Sequence, residues 1–272
     1  MSFLDPLLVL QLLLLGAGTG FLAGLLGIGG GMLMVPFLTM ILSHRGIEPG
    51  LAVKMAIATS MATILFTSIA SVRAHHKRGA VRWPVARSLV PGILMGGLLS
   101  GAGLFALLRG SALALVFAAF VVFSAVQMLI DRKPKPGRQM PGPVGATAAG
   151  GLIGLISGLV GAGGAFISVP FMTWCNIAVH NAVATSAALG FPIALANTLG
   201  YVVAGWNLPQ QVPGSLGYLV LPALLVIAAA SVLTAPLGAR AAHALDTRQL
   251  KKVFALMLFG LGSYMAWRGL SA

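Results

Sequence analysis

Ten apolar stretches tile almost the whole chain, and that feature fixes the medium in which it folds. They cover residues 7–27, 31–43, 51–73, 87–108 and 111–130, then 144–160, 165–177, 180–204, 216–238 and 250–269. A helix needs about 20 apolar residues to cross the ~30 Å hydrocarbon core of a bilayer, and most of these stretches reach that length. Composition agrees: 58% of the 272 residues are hydrophobic, only 8% are charged, and the mean hydropathy is +0.98. Soluble domains carry about a quarter charged residues. The net charge of +13 could suit a soluble nucleic-acid binder, but not at this hydropathy. A disordered basic tail would be poor in apolar residues. The single cysteine, Cys175, excludes a disulfide framework and a Cys-based metal site. The expected fold class is therefore an all-α integral membrane protein of about ten helical segments.

Two of the stretches, 31–43 and 165–177, have only thirteen residues. At about 1.5 Å per residue they cover roughly 20 Å, short of the core thickness. Each follows a glycine cluster and contains a proline, Pro36 or Pro170. The N-terminal segment lacks the basic n-region of a signal peptide and belongs to the repeat below, so it is expected to persist as a helix.

Orientation follows from Lys and Arg, which concentrate in cytoplasmic loops. Thirteen of the seventeen fall in 73–87, 131–138 and 240–252. The other four, Arg45, Lys54, Arg109 and Arg268, fall on the opposite side if all ten segments cross, with both termini outside. The positive charge is thereby absorbed as topology signal and attraction to anionic headgroups; the expected partner surface is the lipid bilayer and not nucleic acid.

The two halves also resemble each other. Gly27-Ile-Gly-Gly-Gly-Met-Leu-Met-Val-Pro36 matches Gly161-Ala-Gly-Gly-Ala-Phe-Ile-Ser-Val-Pro170, and Lys54-Met-Ala-Ile-Ala-Thr59-Ser60 matches His180-Asn-Ala-Val-Ala-Thr185-Ser186. Leu89-Val-Pro91 and Val116-Phe-Ala have looser counterparts in Val220-Leu-Pro222 and Val253-Phe-Ala, in the same order. Five segments is an odd number, so two such halves enter the membrane from opposite sides. The chain divides as residues 1–130, a Pro-, Gly- and charge-rich cytoplasmic linker at 131–143, and residues 144–272. Inverted-topology repeats with broken helices are characteristic of secondary transporters, whose site lies at the midplane.

The glycine clusters are the first candidates for chemistry. Irregular backbone inside a membrane persists only where protein or a water-filled cavity surrounds it, and a helix restarting there offers free N–H groups and a partial positive charge to an anion. Gly29, Gly30 and Gly31 in one half, and Gly163 and Gly164 in the other, are the candidate substrate contacts; the alternative use of glycine is close helix packing, which is the reading for Gly92 and Gly96. Thr59, Ser60, Thr185 and Ser186 could donate to a substrate oxygen or bond back to their own helix. Lys54 reads as a snorkelling side chain. Its counterpart His180, with Asn181, stays open as a ligand contact, and Asn197 reads as interhelical glue. His75-His76 could form an anion-attracting mouth, or simply belong to the basic loop. All four acids lie at ends or in connections, so no mid-membrane carboxylate is available to a cation. No cofactor, metal or catalytic set is expected.

The repeated glycine motif with its downstream proline, the Ala-x-Ala-Thr-Ser blocks and Arg78-Gly-Ala-Val-Arg-Trp83 together resemble the sulfite exporter TauE/SafE family, also called toluene sulfonate uptake permeases. The resemblance spans both halves and implies a secondary transporter of the bacterial inner membrane. It also implies substrates such as sulfite, sulfonates, sulfoacetate or related organic anions. The family's glycine motifs fall on Gly27, Gly29, Gly30 and Gly31, and on Gly161, Gly163 and Gly164; the second copy departs at Ala165, where the first has Gly31. Coupled protons, with His180 as the titratable candidate, and a homodimer are further expectations. The competing class is a non-transporting scaffold or assembly factor.

Overall fold

The computed structural model describes residues 5–26, 30–130, 137–208, 212–241 and 247–271. Gly27 and Gly29 of the first glycine cluster, and 131–136 of the linker, lie outside the described residues. Among the described residues ten helices follow one another in the expected order: α1 (Pro6–Leu26), α2 (Gly31–His44), α3 (Pro49–Lys77), α4 (Trp83–Leu107), α5 (Gly110–Ile130), α6 (Pro143–Val160), α7 (Ala165–Trp174), α8 (Val179–Ala204), α9 (Leu221–Ala241) and α10 (Thr247–Leu270). Eight are long and apolar enough to span a bilayer; α2 and α7 are the short ones. A π-helical stretch, Leu99–Leu104, interrupts α4.

Two boundaries differ from the sequence reading. The basic connection expected at 73–87 shrinks to 78–82, because α3 continues helically through His75, His76 and Lys77 and Pro84 opens α4 one turn earlier. Proline in a first turn costs nothing, its missing N–H being an orphan there anyway. The ninth apolar stretch begins as a hairpin, β1 (Ser215–Leu216) and β2 (Leu219–Val220), with Ser215 opposite Val220. Gly217 takes the positive φ, +57°, that a two-residue hairpin requires at its first turn position.

Helix partners cross between the halves. The main neighbour of α1 is α9, that of α4 is α6, α5 pairs with α10, and α3 with α8. Each helix thus pairs with the element its counterpart's partner would predict, which is what a two-fold relation between the repeats requires. Glycines make the close pairs: a Cβ at Gly92 or Gly96 would strike the backbone of α6 at Thr147 and Gly151, and one at Gly150 or Gly154 would strike α4 at Leu89 and Ile93. Gly16 and Gly20 do the same for α1 against α9, at Ile227 and Ser231. These contacts carry much of the pairing, since lipid is as apolar as leucine and only packing and hydrogen bonds distinguish a helix neighbour from it.

The helix ends define two faces. Asp5, before α1, pairs with Arg45, after α2, at 2.5 Å, so α1 and α2 begin and end on the same face. Arg268 at the end of α10 joins that face by donating to Ser43. In the second half the amides of Gly137 and Arg138, just before α6, donate to the Trp174 carbonyl at the end of α7, at 3.2 and 3.3 Å, on the other face. Equivalent helix pairs therefore enter from opposite faces, as an inverted repeat demands. We call the Asp5 side the first face and the Trp174 side the second.

Candidate functional site

The two glycine breaks meet inside the bundle. Gly31, the first residue of α2, lies so close to the second break that a Cβ there would overlap the Gly161 carbonyl oxygen and come within 3.3 Å of Ser60 Oγ. That same carbonyl accepts a hydrogen bond from Ser60 at 3.2 Å. Because the breaks share a depth, α2 and α7 cannot both cross the membrane. At about 1.5 Å per residue, their fourteen and ten residues cover roughly 21 and 15 Å from the interior to opposite faces. Both point their N-termini inward. The amides of Gly31 and Met32, and of Ala165 and Phe166, have no hydrogen-bond partner among the described residues.

The breaks are built differently. Gly30 caps α2 with an ordinary φ of −71°. Gly164 caps α7 at φ +75° and Gly161 ends α6 at +69°, a left-handed conformation that side chains rarely adopt. The departure at Ala165 thus sits next to the more sharply turned break. Gly163 is half-buried beside Ile64 of α3. Gly29 lies outside the described residues.

The Thr-Ser pairs are buried and bond away from their own helices: Thr59, Ser60 and Thr185 tie the halves together, and Ser186 bonds within its own half. Thr59 Oγ1 accepts the Val220 amide at 3.1 Å, just ahead of α9. Thr185 Oγ1 accepts the Arg82 amide at 3.0 Å, just ahead of α4. Each threonine holds the connection leading into the other half's fourth helix. Ser186 accepts from Ser168 Oγ at 2.8 Å, bracing α8 against α7. Asn181 donates to the Ala80 carbonyl at 2.7 Å, beside the Thr185 contact. His180 is exposed in the first turn of α8, apart from the breaks.

Around the second break, one residue singled out in the sequence is joined by others that carried no signal there. Asn197 of α8 donates to Gly154 of α6 at 3.3 Å, the glue expected of it, but its Oδ1 has no partner. Ser100, in the π-helical stretch, and Ser157, whose Oγ lies 3.0 Å from where a Cβ of Gly164 would be, are equally buried and unpartnered. Tyr201 donates to the Gly158 carbonyl. Buried polar atoms are normally bonded to protein or water, and π-helical turns recur at functional positions. Only the three-dimensional pairing of α4, α6 and α8 brings these groups together.

Lys54 does not snorkel: its ammonium donates to the Ala106 carbonyl at 3.2 Å and lies 5.8 and 5.4 Å from the ring centroids of Phe105 and Tyr218. His76 accepts from Trp83 Nε1 at 3.2 Å, a local contact across the α3–α4 turn. No cluster of metal-ligating side chains occurs among the described residues.

Interlocked spans with paired, inward-pointing half-helices define a polytopic membrane protein, and its relatives place it in the transporter class. The chain belongs to the sulfite exporter TauE/SafE family, which it matches over residues 12–265. It is 38% identical over 251 residues to a probable membrane transporter protein of Haemophilus influenzae, covering 92% of this chain and 95% of that one. A probable membrane transporter protein of Methanocaldococcus jannaschii is 26% identical over 267 residues, covering 95% and 96%. Another, from Bacillus subtilis, is 26% identical over 207 residues, covering 74% and 80%. No solved structure is significantly similar.

Proposed function

We propose that the protein is a secondary carrier that moves a small anion, sulfite, a sulfonate or a related organic anion, by alternating access between the two faces. The observation that carries this reading is the meeting of the α2 start, at Gly31, with the α6–α7 break, at Gly161, from opposite faces, the first amides of α2 and α7 having no partner among the described residues. Such amides and the positive ends of α2 and α7 suit an anionic group. The unpartnered Ser157 hydroxyl beside Gly164 adds a donor at the second break. Ser60 stands between the breaks and can exchange the Gly161 carbonyl for substrate. Thr59 and Thr185 act at one remove, by holding the connections that would move with each gate. In this reading residues 1–130 and 144–272 are the two rocking repeats, joined by the 131–143 linker on the cytoplasmic side of a bacterial inner membrane. No geometry favours proton coupling through the exposed His180.

The test is the thermal stability of the detergent-solubilised protein with sulfite, sulfate, sulfoacetate, taurine or acetate against matched chloride. A ligand at a hundred times its Kd stabilises by about 2.7 kcal/mol. Stabilisation by one sulfur oxyanion or sulfonate, followed by its uptake into proteoliposomes, supports the carrier; no stabilisation by any anion favours a scaffold.

A further inference from the structure

A cavity of about 370 Å³ opens on the first face, between the start of α3, the α4–α5 link and the tip of the β1–β2 hairpin. That is within the ~300–1,000 Å³ of small-molecule pockets. Its charged lining is Glu48, Lys54 and Arg109, with Ser111 and Tyr218. Glu48 is a fixed anion in this lining, both carboxylate oxygens capping α3 by accepting the amides of Gly50 at 2.9 Å and Leu51 at 2.7 Å, and the two cations outnumber it. Lys54 is fixed in place by the Ala106 carbonyl and the two rings, which leaves its remaining N–H groups unassigned. Arg109 is exposed, and its guanidinium forms no ion pair or hydrogen bond among the described residues. The 21-residue helix α5 also starts here, and the amides of Gly110, Ser111 and Ala112 have no partner among the described residues. Two cations, a helix start and a hydroxyl therefore face one occupied carboxylate.

The second half does not repeat this pattern in its sequence. In the second half His180 occupies the place of Lys54, and the connection Arg78-Gly-Ala-Val-Arg82 has no aromatic residue to match Tyr218. There Asn181 instead fastens that connection through the Ala80 carbonyl. The long 205–220 connection, with its hairpin, is what places an aromatic wall over Lys54.

We propose that this cavity binds the oxyanion group of a small carboxylate or sulfonate, a capture site on the first face separate from the glycine breaks. The ligand's identity as a transported anion rests on the carrier reading; the binding does not require transport to be measured. Binding oxyanion groups could come from a soluble anion or from an anionic lipid headgroup, and the test separates them.

The test places a thiol in the cavity as Ser111→Cys, with the lone native thiol removed as Cys175→Ala. The rates of an anionic reagent, sulfonatoethyl methanethiosulfonate, and a cationic one, its trimethylammonium analogue, are compared with their rates on a small free thiol. The cavity should favour the anionic reagent relative to that reference. Lys54→Gln and Arg109→Gln should each slow it severalfold; at the dielectric of water, one charge at a distance of about 5 Å would give about fourfold. Arg109 is exposed, so its variant keeps the test decisive even if Lys54→Gln fails to fold. No anionic preference, or one that both substitutions leave intact, overturns the proposal. Protection by sulfoacetate or acetate over matched chloride, in phosphatidylcholine nanodiscs, supports a soluble ligand. Slowing only in phosphatidylglycerol nanodiscs, with no protection by soluble anions, assigns the cavity to lipid and overturns the capture role. Anion transport with no such preference sinks this proposal alone; the preference without any transport sinks only the carrier.

Discussion

Replacing Gly164 with alanine tests the sharper of the two breaks. The residue sits at φ +75°, where a side chain costs about 1–2 kcal/mol. Its new methyl would also lie 2.6 Å from Ile193 Cδ1 and 3.2 Å from Ile153 Cγ2, closer than packed carbons tolerate. Overpacking of that kind typically costs about 1–3 kcal/mol. Together they come to roughly 2–5 kcal/mol, or a fall in Tm on the order of 10 °C for a chain of this size. The two contributions separate through Ile193→Val, which removes the clashing Cδ1 at a cost of about 0.5–1.5 kcal/mol by itself. The double variant should melt above the value expected from adding the two single effects, recovering the packing part but not the backbone part. Gly260→Ala is the control: no atom lies within 4 Å of its Cβ position, so Tm should hold or rise. The measurement is loss of monodisperse protein on heating in detergent. If Gly164→Ala melts within about 2 °C of the parent and shows no coupling to Ile193→Val, the left-handed cap described for α7 is wrong, and the second break loses its argument.

Thr59→Val strands the buried Val220 amide and should cost about 1–3 kcal/mol, while Thr185→Val frees the part-buried Arg82 amide and should cost less; both are read as a lower Tm and faster exchange of that amide. Ser100→Ala removes a buried hydroxyl that has no partner, so Tm should stay level or rise; a clear fall would mean that a water or ligand satisfies it. Arg45 holds the Asp5 carboxyl below the ordinary carboxylate range. The pair's contribution is therefore complete above that range and disappears as pH falls through the lowered value. Asp5→Asn should thus melt slightly below the parent at neutral pH, with the gap closing below about pH 4.

Much of the architecture was legible because it is written in long-period patterns. Apolar length gave the helical segments and the offset between Pro36 and Pro170 gave the two breaks, whereas the expectation that all ten segments cross fails because α2 and α7 start at one depth. Gly16 and Gly20 stand at the same offset from Gly150 and Gly154 as Pro36 does from Pro170, so the packing faces could also have been found by extending the repeat. What could not be read was who meets whom across the two-fold. Thr59 and Val220 are far apart in the chain, and only the crossing of partners between halves makes one cap the other. Lys54 looked free for the same reason, its aromatic neighbours arriving from α4 and the hairpin. Ser100, Ser157 and Asn197 lie on three different helices and share no spacing.

The pairing of α1 with α9 has a consequence for the order in which the molecule is made. During synthesis α1 leaves the ribosome first, presenting the glycine face of Gly16 and Gly20, but its partner is completed roughly 200 residues later. At ~5–20 residues per second that is a wait of about 10–40 s. The corresponding helix of the second half, α6, emerges when its partner α4 already stands in the bilayer. A fold that is nearly symmetric when finished is thus asymmetric while being built. Its leading helix must spend that interval against lipid or a membrane chaperone, and a chain cut short before α9 leaves α1 as the exposed mark by which quality-control proteases can recognise it.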